Sequence, residues 1–332
     1  MSSLTKYVRK GDLSSLRNYL TTIPIEEARK ITNTPDIHGD TLIHFAARSH
    51  KKNILSFLIE DMGGNAMAVN IHGRQPLHEA IDDYECVKYL CDQNIDVNCM
   101  KRGDWTSLMI SSMKGDLNIV KELINHGANV NFLNKDGWSS LHLAAKEGHF
   151  DVVIYLYNIS PTLSLTPSKS GRLPIHTAAL CDHHEIVFQL LSLASNEETK
   201  QYLLNSSDNG GTNLLQNFVI CGNVQIVKKL IDEYDVKIDY KDKLGREAIH
   251  HAAIIGNKEM IELLFEKGAN INVQDNWDKF TSLHHAAKEG HVNVVKYLIN
   301  VCRANVDIKD NHGKTAKDIA ILWDRKEIIE IL

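Results

Sequence analysis

The sequence predicts an all-α fold, a solenoid of stacked helix pairs joined by short hairpin loops. Three observations predict it. An apolar residue followed by His recurs along the chain. Apolar clusters between these pairs fall at helical spacing. Gly and short polar stretches interrupt them at a nearly fixed interval. Of the 332 residues, 43% are hydrophobic and 24% charged, a balance that buries a core and argues against disorder.

The pair Leu77-His78 recurs as Ile43-His44, Leu141-His142, Ile175-His176, Ile249-His250 and Leu283-His284. Degenerate copies stand at Leu108-Met109, Leu214-Leu215 and Lys317-Asp318. Successive copies are mostly about 34 residues apart, a period that denotes a repeat array. Each unit justifies itself in chain order. Thr41, Thr106, Ser139, Thr212, Thr281 and Thr315 stand where a hydroxyl caps a helix N-terminus. Pro76 and Pro174 follow at the first helical position, where the missing N–H costs nothing. Ala-Ala pairs such as 46–47, 144–145 and 252–253 keep the first helix thin. Gly115, Gly148, Gly222, Gly256 and Gly290 mark the turn to a second helix, and Gly127-Ala128 or Gly268-Ala269 ends that one. A polar stretch such as Asn134-Lys135-Asp136-Gly137 leads to the next unit. This reading gives an N-terminal helical cap over 1–35 and nine repeats in one continuous array over 36–332. Two units are irregular. The one from Asn70 is short, with Asp82-Asp83-Tyr84 where the Gly turn belongs, and the one from Ser168 carries an insertion around Asn196–Ser207.

These residues resemble the ankyrin repeat family over nearly the whole chain, which implies stacked helix pairs and a protein-binding concave face. Charge and motifs exclude other classes. With 37 Lys+Arg against 42 Asp+Glu the net charge is −5, which argues against a general nucleic-acid or anionic-membrane binder. No apolar run approaches the roughly 20 residues of a membrane span, and the start lacks the apolar stretch of a secretory signal. Six Cys without a Cys-x-x-Cys pair suggest free thiols in the cytoplasm or nucleus. Phosphate-loop, dinucleotide and nucleophile-elbow motifs are lacking. His78-Glu79 and His184-Glu185 start like a zinc-protease helix, but Asp82 and Phe188 replace the second His. The repeated His are expected to bond backbone between units. No enzyme activity, cofactor or metal is expected.

The residue before each helix cap forms a row along the hairpin tips, including Arg74, Trp105, Trp138 and Arg172. Arg and Trp are the residue types that dominate protein-binding hot spots, so these four are the candidate partner-binding residues. Lys101, Lys135 and Lys169 line the same region. An amine there becomes a nucleophile if a nearby cation such as Arg102 or desolvation lowers its pKa.

Several strings also resemble the family of ankyrin repeat domain-containing protein sixteen. They include Gly39-Asp40-Thr41-Leu42-Ile43-His44, Pro76-Leu77-His78-Glu79-Ala80, Asp104-Trp105-Thr106-Ser107-Leu108-Met109 and Asn134-Lys135-Asp136-Gly137-Trp138. The resemblance implies a cofactor of alanyl-tRNA synthetase that accepts misactivated serine on lysine; a monomer is expected. Lys135 matches one acceptor position, Arg102 and the neighbourhood of Leu165 depart from the others, and Lys101 or Lys169 is the expected substitute. The alternative is an adaptor for another protein, without lysine chemistry.

Overall fold

A computed structural model describes residues 2–332. They form helices joined by loops. Among the described residues the only β pairings are two isolated bridges, Lys101 with Trp105 and Ser207 with Asn213. The chain divides into two compact units, one ending at Lys169 and one running from Ser170 to Leu332. Within each unit, helix pairs stack as an ankyrin solenoid requires.

In the first unit the N-terminal segment forms three helices, Ser2–Lys10, Leu13–Thr22 and Ile25–Asn33. The first packs on Leu42–Arg48, and Arg9 lies over the Phe45 ring at 4.9 Å. The first helices of successive repeats then form one layer: Leu42–Arg48, Pro76–Glu79, Ser107–Lys114 and Ser140–Glu147. In the second unit the corresponding layer contains Pro174–Leu180, Leu214–Cys221, Ala248–Ile255, Ser282–Glu289 and Ala316–Leu322. The insertion of that unit is an ordered helix, Glu197–Asn205, capped by Asn196 and anchored through buried Leu203 and Leu204.

A single side chain sets the register of each stack. The N–H of Thr41 donates to His44 Nδ1 at 3.2 Å, so Nε2 carries the ring proton and donates to the Arg74 carbonyl of the next hairpin at 3.0 Å. His176 does the same between Leu173 N–H and the Ser206 carbonyl. His250 joins Glu247 N–H to Val273, and His284 joins Thr281 N–H to Lys314. Gln216 fills the position in a degenerate copy. Its Oε1 accepts from Asn213 N–H, and its Nε2 donates to the carbonyls of Tyr240 and Arg246. Asn213, rather than the expected Thr212, therefore caps that helix. The turn histidines also cross between repeats, His149 donating to Met113 and His291 to Ile254.

The hairpin tips are stacked by backbone. Ile71 N–H donates to His38, Arg102 to His72 and Lys135 to Gly103, each at 2.9–3.0 Å. Lys243 to Gly210 and Asn276 to Leu244 continue the pattern in the second unit. Close approach fixes Gly137 at φ +78, since a Cβ there would meet Lys169 N at 2.7 Å. Inside most tips an Asp or Asn cups two backbone N–H groups. Asn70 accepts from His72 and Arg74, Asn134 from Asp136 and Trp138, and Asp242 from Leu244 and Arg246.

Burial pushes the His176 and His250 imidazoles down to about 4, against an ordinary value of 6.5. The unfolded chain therefore binds more protons than the folded one between these values, and their contribution to stability is lost as pH falls from 6.5 towards 4. Each such His contributes a slope of up to about 1.4 kcal/mol per pH unit in that window. Replacing His176 by Gln, the residue already working at 216, should preserve the fold. It should also flatten urea-derived stability between pH 4 and 6.5 by about one histidine's share. An unchanged slope would show that His176 is not titrating on unfolding.

Candidate functional site

The first irregular repeat builds the site. Where Ser107–Lys114 runs two turns to Gly115, the equivalent helix Pro76–Glu79 is a single turn ending at Ala80. Asp83 then starts the second helix, Tyr84–Asp92, by accepting from Cys86 N–H at 2.8 Å. In the first-helix layer of this unit, the loosest neighbours are this short helix and Ser107–Lys114. A cleft of about 410 Å³ opens there, lined by Arg48, Arg74, His78, Glu79, Ile81, Asp82, Lys101, Trp105, Ile110, Met113 and Lys114. A second depression of about 390 Å³, bounded by His72, Arg74, Lys101 and Arg102, shares Arg74 and Lys101 with it.

Glu79 organises one wall. Its carboxylate, with only 5% of the side chain exposed, accepts from Arg48 Nε at 2.9 Å and Arg74 Nη1 at 3.2 Å. Arg48 also reaches Asp40 at 2.8 Å, and Asp40 accepts from Asn70 Nδ2. Burial alone pushes the Glu79 carboxyl up, but the two guanidiniums outweigh it and hold it below the usual carboxylate value. Asp82 on the rim pairs with Lys114. Ile81, Ile110 and Met113 supply apolar surface.

Lys101 is the other unusual residue. It occupies the tip position that holds Asn70 and Asn134 in the neighbouring repeats, so the side-chain acceptor for tip amides is gone. The tip is held instead by Lys101 N–H to the Trp105 carbonyl at 2.9 Å and Arg102 N–H to His72. Asp104 takes the left-handed conformation, φ +62, that Gly137 takes one repeat later. The Lys101 ammonium lies 5.1 Å from the centre of the Trp105 ring. Burial, then the Arg74 charge, lower its pKa below the usual 10.5.

The structure brings three of the predicted residues together: Arg74, Lys101 and Trp105. Trp138 instead sets its ring 6.0 Å from that of His142. Arg172 belongs to the second unit, where Nε binds Asp208 at 3.1 Å. Lys135 and Lys169 are exposed tip residues whose backbone N–H groups bond Gly103 and Asp136. The cation acting on Lys101 is Arg74; Arg102 stands exposed on the adjoining depression. Sequence reading missed Arg48, Glu79, Ile110 and Met113. One signal was present: Glu79 occupies the position of Phe45, Ile110 and Leu143 in neighbouring repeats. An acid at a position otherwise apolar needs cations nearby. Away from the cleft, Asp92, Glu122 and His126 bring one potential ligand atom each within 4.8 Å of one another. His126 Nε2 lies 3.3 Å from the Asp92 carboxylate. The six cysteines are unpaired, and burial pushes the Cys91 and Cys302 thiols up to about 12 and 11.

Comparison with known proteins agrees with this architecture. The ankyrin repeats profile, in three-copy form, matches residues 4–101, 108–201, 175–275 and 270–332. The chain belongs to the ankyrin repeat family. It is similar to the probable 26S proteasome regulatory subunit p28 of Saccharomyces cerevisiae, with 29% identity over 201 residues, covering 50% of this chain and 86% of that protein. It is also similar to ankyrin repeat and SAM domain-containing protein 6 of Rattus norvegicus, 35% identical over 101 residues. A third relative is the mitochondrial liver-isoform glutaminase of the same species, 41% identical over 59 residues. The matches span only 11% and 10% of the latter two proteins. Ankyrin repeats make the chain a protein-interaction scaffold.

Two substitutions test the wall of the cleft. Arg48→Ala removes a partner from both Glu79 and Asp40 and should cost about 2 kcal/mol in chemical unfolding, less than a fully buried pair because Arg48 is half exposed. Lys101→Asn restores the tip residue of the neighbouring repeats and should leave stability unchanged or raise it by up to about 1 kcal/mol. A loss on Lys101→Asn would mean that the lysine holds the fold rather than a ligand.

Proposed function

We propose that the chain docks a partner protein through the cleft beside Trp105, and that this partner is alanyl-tRNA synthetase. The proposal includes capture of misactivated serine, in the cytoplasm or nucleus. The observation that carries it is Lys101, an amine in a lined cleft whose pKa burial and Arg74 lower. A larger fraction of such an amine is neutral and nucleophilic than of an exposed lysine. In the capture step, Nζ attacks the carbonyl carbon of seryl-adenylate. The carbon–oxygen bond to phosphate breaks, AMP leaves, the amine loses a proton to water, and a stable amide remains. Lys101 is thus favoured over Lys135 and Lys169 as the acceptor. The protein itself turns nothing over; it is consumed as the acceptor.

A second reading has a specific observation behind it. The likeness to yeast p28 extends over 86% of that protein. On this reading the docked partner is a component of the 26S proteasome, and Lys101 is a contact only.

Purified chain is mixed with its cognate alanyl-tRNA synthetase, ATP and labelled serine, and separately with 26S proteasome. A synthetase complex with label on Lys101, abolished by Lys101→Arg, supports the first reading. A complex without label removes the acceptor chemistry. Absence of a complex between folded proteins removes the synthetase, and proteasome co-sedimentation would then favour the second. In whichever complex forms, Trp105→Ala should weaken affinity about tenfold or more, as loss of a hot-spot aromatic does, and Trp138→Ala by less.

A further inference from the structure

The cleft has a chemistry of its own that narrows what can occupy it. Glu79 engages Arg48 and Arg74 together, Asp40 also engages Arg48, and Asp82 engages Lys114. Those three cations are neutralised from within. Lys101 and Arg102, adjacent on the tip, have no salt bridge among the described residues. The chain as a whole carries −5, so any attraction for an anion is local to this tip. Beside the two free cations lies an apolar strip of Trp105, Ile110 and Met113. The two adjoining depressions, about 410 and 390 Å³, are each large enough to hold side chains.

We infer that the cleft receives an acidic segment of the partner protein, a short stretch in which Asp or Glu carboxylates meet Lys101 and Arg102 while a neighbouring apolar side chain lies on Trp105, Ile110 and Met113. This rests on the docking reading above but not on the partner's name. Both features that make the site are departures from the repeat. The one-turn helix Pro76–Glu79 opens the space, and Lys101 replaces the Asn found at 70 and 134. Neither helps stacking: the first thins the first-helix layer, and the second gives up an amide acceptor. Their coincidence in neighbouring repeats places an unpaired charge in the lining of the cleft. The charge pattern also selects protein over nucleic acid. A polyanionic strand needs a row of free cations along its phosphates. Here two free cations are followed by carboxylates and aliphatic side chains, the pattern of an amphipathic peptide complement.

The test is selection of random peptides of about twelve residues displayed on phage against the immobilised full-length chain, followed by fluorescence anisotropy of the enriched sequences. Enriched peptides should be rich in Asp and Glu and carry at least one large apolar residue. Affinity should fall about tenfold for the double variant Lys101→Gln/Arg102→Gln and weaken with added salt. It should be unchanged for Lys135→Gln, an exposed lysine of the same unit. Circular dichroism confirms that each variant is folded, and Lys101→Asn serves as a second variant if the double one is not. No enrichment, enrichment of neutral or basic peptides, or equal binding by the double variant would overturn the inference. So would displacement of the peptides by an oligouridylate that binds more tightly. Failure of the named partner is separate. Acidic peptides that bind through Lys101 and Arg102, with no synthetase or proteasome complex, remove only those names. A complex indifferent to Lys101 and Arg102 removes the cleft.

Discussion

The fold depends on one buried bridge found in both units, in which a polar side chain accepts from the N–H at the start of its own helix and donates to a carbonyl of the following hairpin. His44, His176, His250 and His284 do this. The geometry needs an acceptor and a donor about an imidazole apart, and a neutral ring supplies both. A charged ring would lose the acceptor. Burial therefore keeps these rings neutral at physiological pH, and satisfying both nitrogens lets them sit in the core without a desolvation penalty. Gln216 shows that the requirement is for the donor–acceptor pair and not for imidazole. Asp318 occupies the same position and supplies the acceptor alone, taking the Thr315 N–H at 2.8 Å.

Because repeats are held to their neighbours by this bridge where it is present, by tip-to-tip backbone bonds and by apolar stacking, stability is distributed along the stack. A repeat can lose one of these connections without collapse. The repeats of Asn70 and Lys101 illustrate it. The first keeps His78 and its N-cap bond from Gln75 but gives up most of a helix. The second keeps Arg102 N–H on His72 but gives up its side-chain acceptor. The spare stability of the surrounding repeats is what permits a cleft and an unpaired cation at this place.

Much of this was legible in the sequence. The period, the capping hydroxyls, the Ala pairs and the Gly turns specify helix pairs because each acts locally, through backbone sterics or a single hydrogen bond. The shortened spacing between His78 and Met109 marked the irregular repeat, and the tip row included Arg74 and Trp105, which the structure brings to the cleft. What the spacing could not supply was consequence. Whether a missing turn is filled by a neighbour or left open depends on side chains thirty residues away, here Arg48 and Met113. The row also treated equivalent positions as equivalent environments. Trp138 has a His ring to lie against, Arg172 has Asp208, and Trp105 has a lysine and an open space. The insertion at 196–207 was read as an irregularity, yet Asn196 and buried Leu203 and Leu204 are the marks of a capped amphipathic helix.

The charge arrangement of the cleft follows from the same logic of local departures. Glu79 at an otherwise apolar position is a buried anion that must be paired, and it draws Arg48 and Arg74 into fixed places. Both guanidiniums are held on Glu79, while burial and then the Arg74 charge lower the pKa of the Lys101 ammonium below its usual value. An arriving carboxylate would stabilise that ammonium, so binding an acid and exposing a neutral amine are opposed uses of one residue. A partner that docks through an acidic segment over Lys101 makes the lysine less nucleophilic, whereas one that leaves Lys101 uncovered keeps it reactive. Contact and acceptor roles at this position are therefore alternatives set by whether a carboxylate sits on the cleft, which ties the chemistry of Lys101 directly to the pose of the partner.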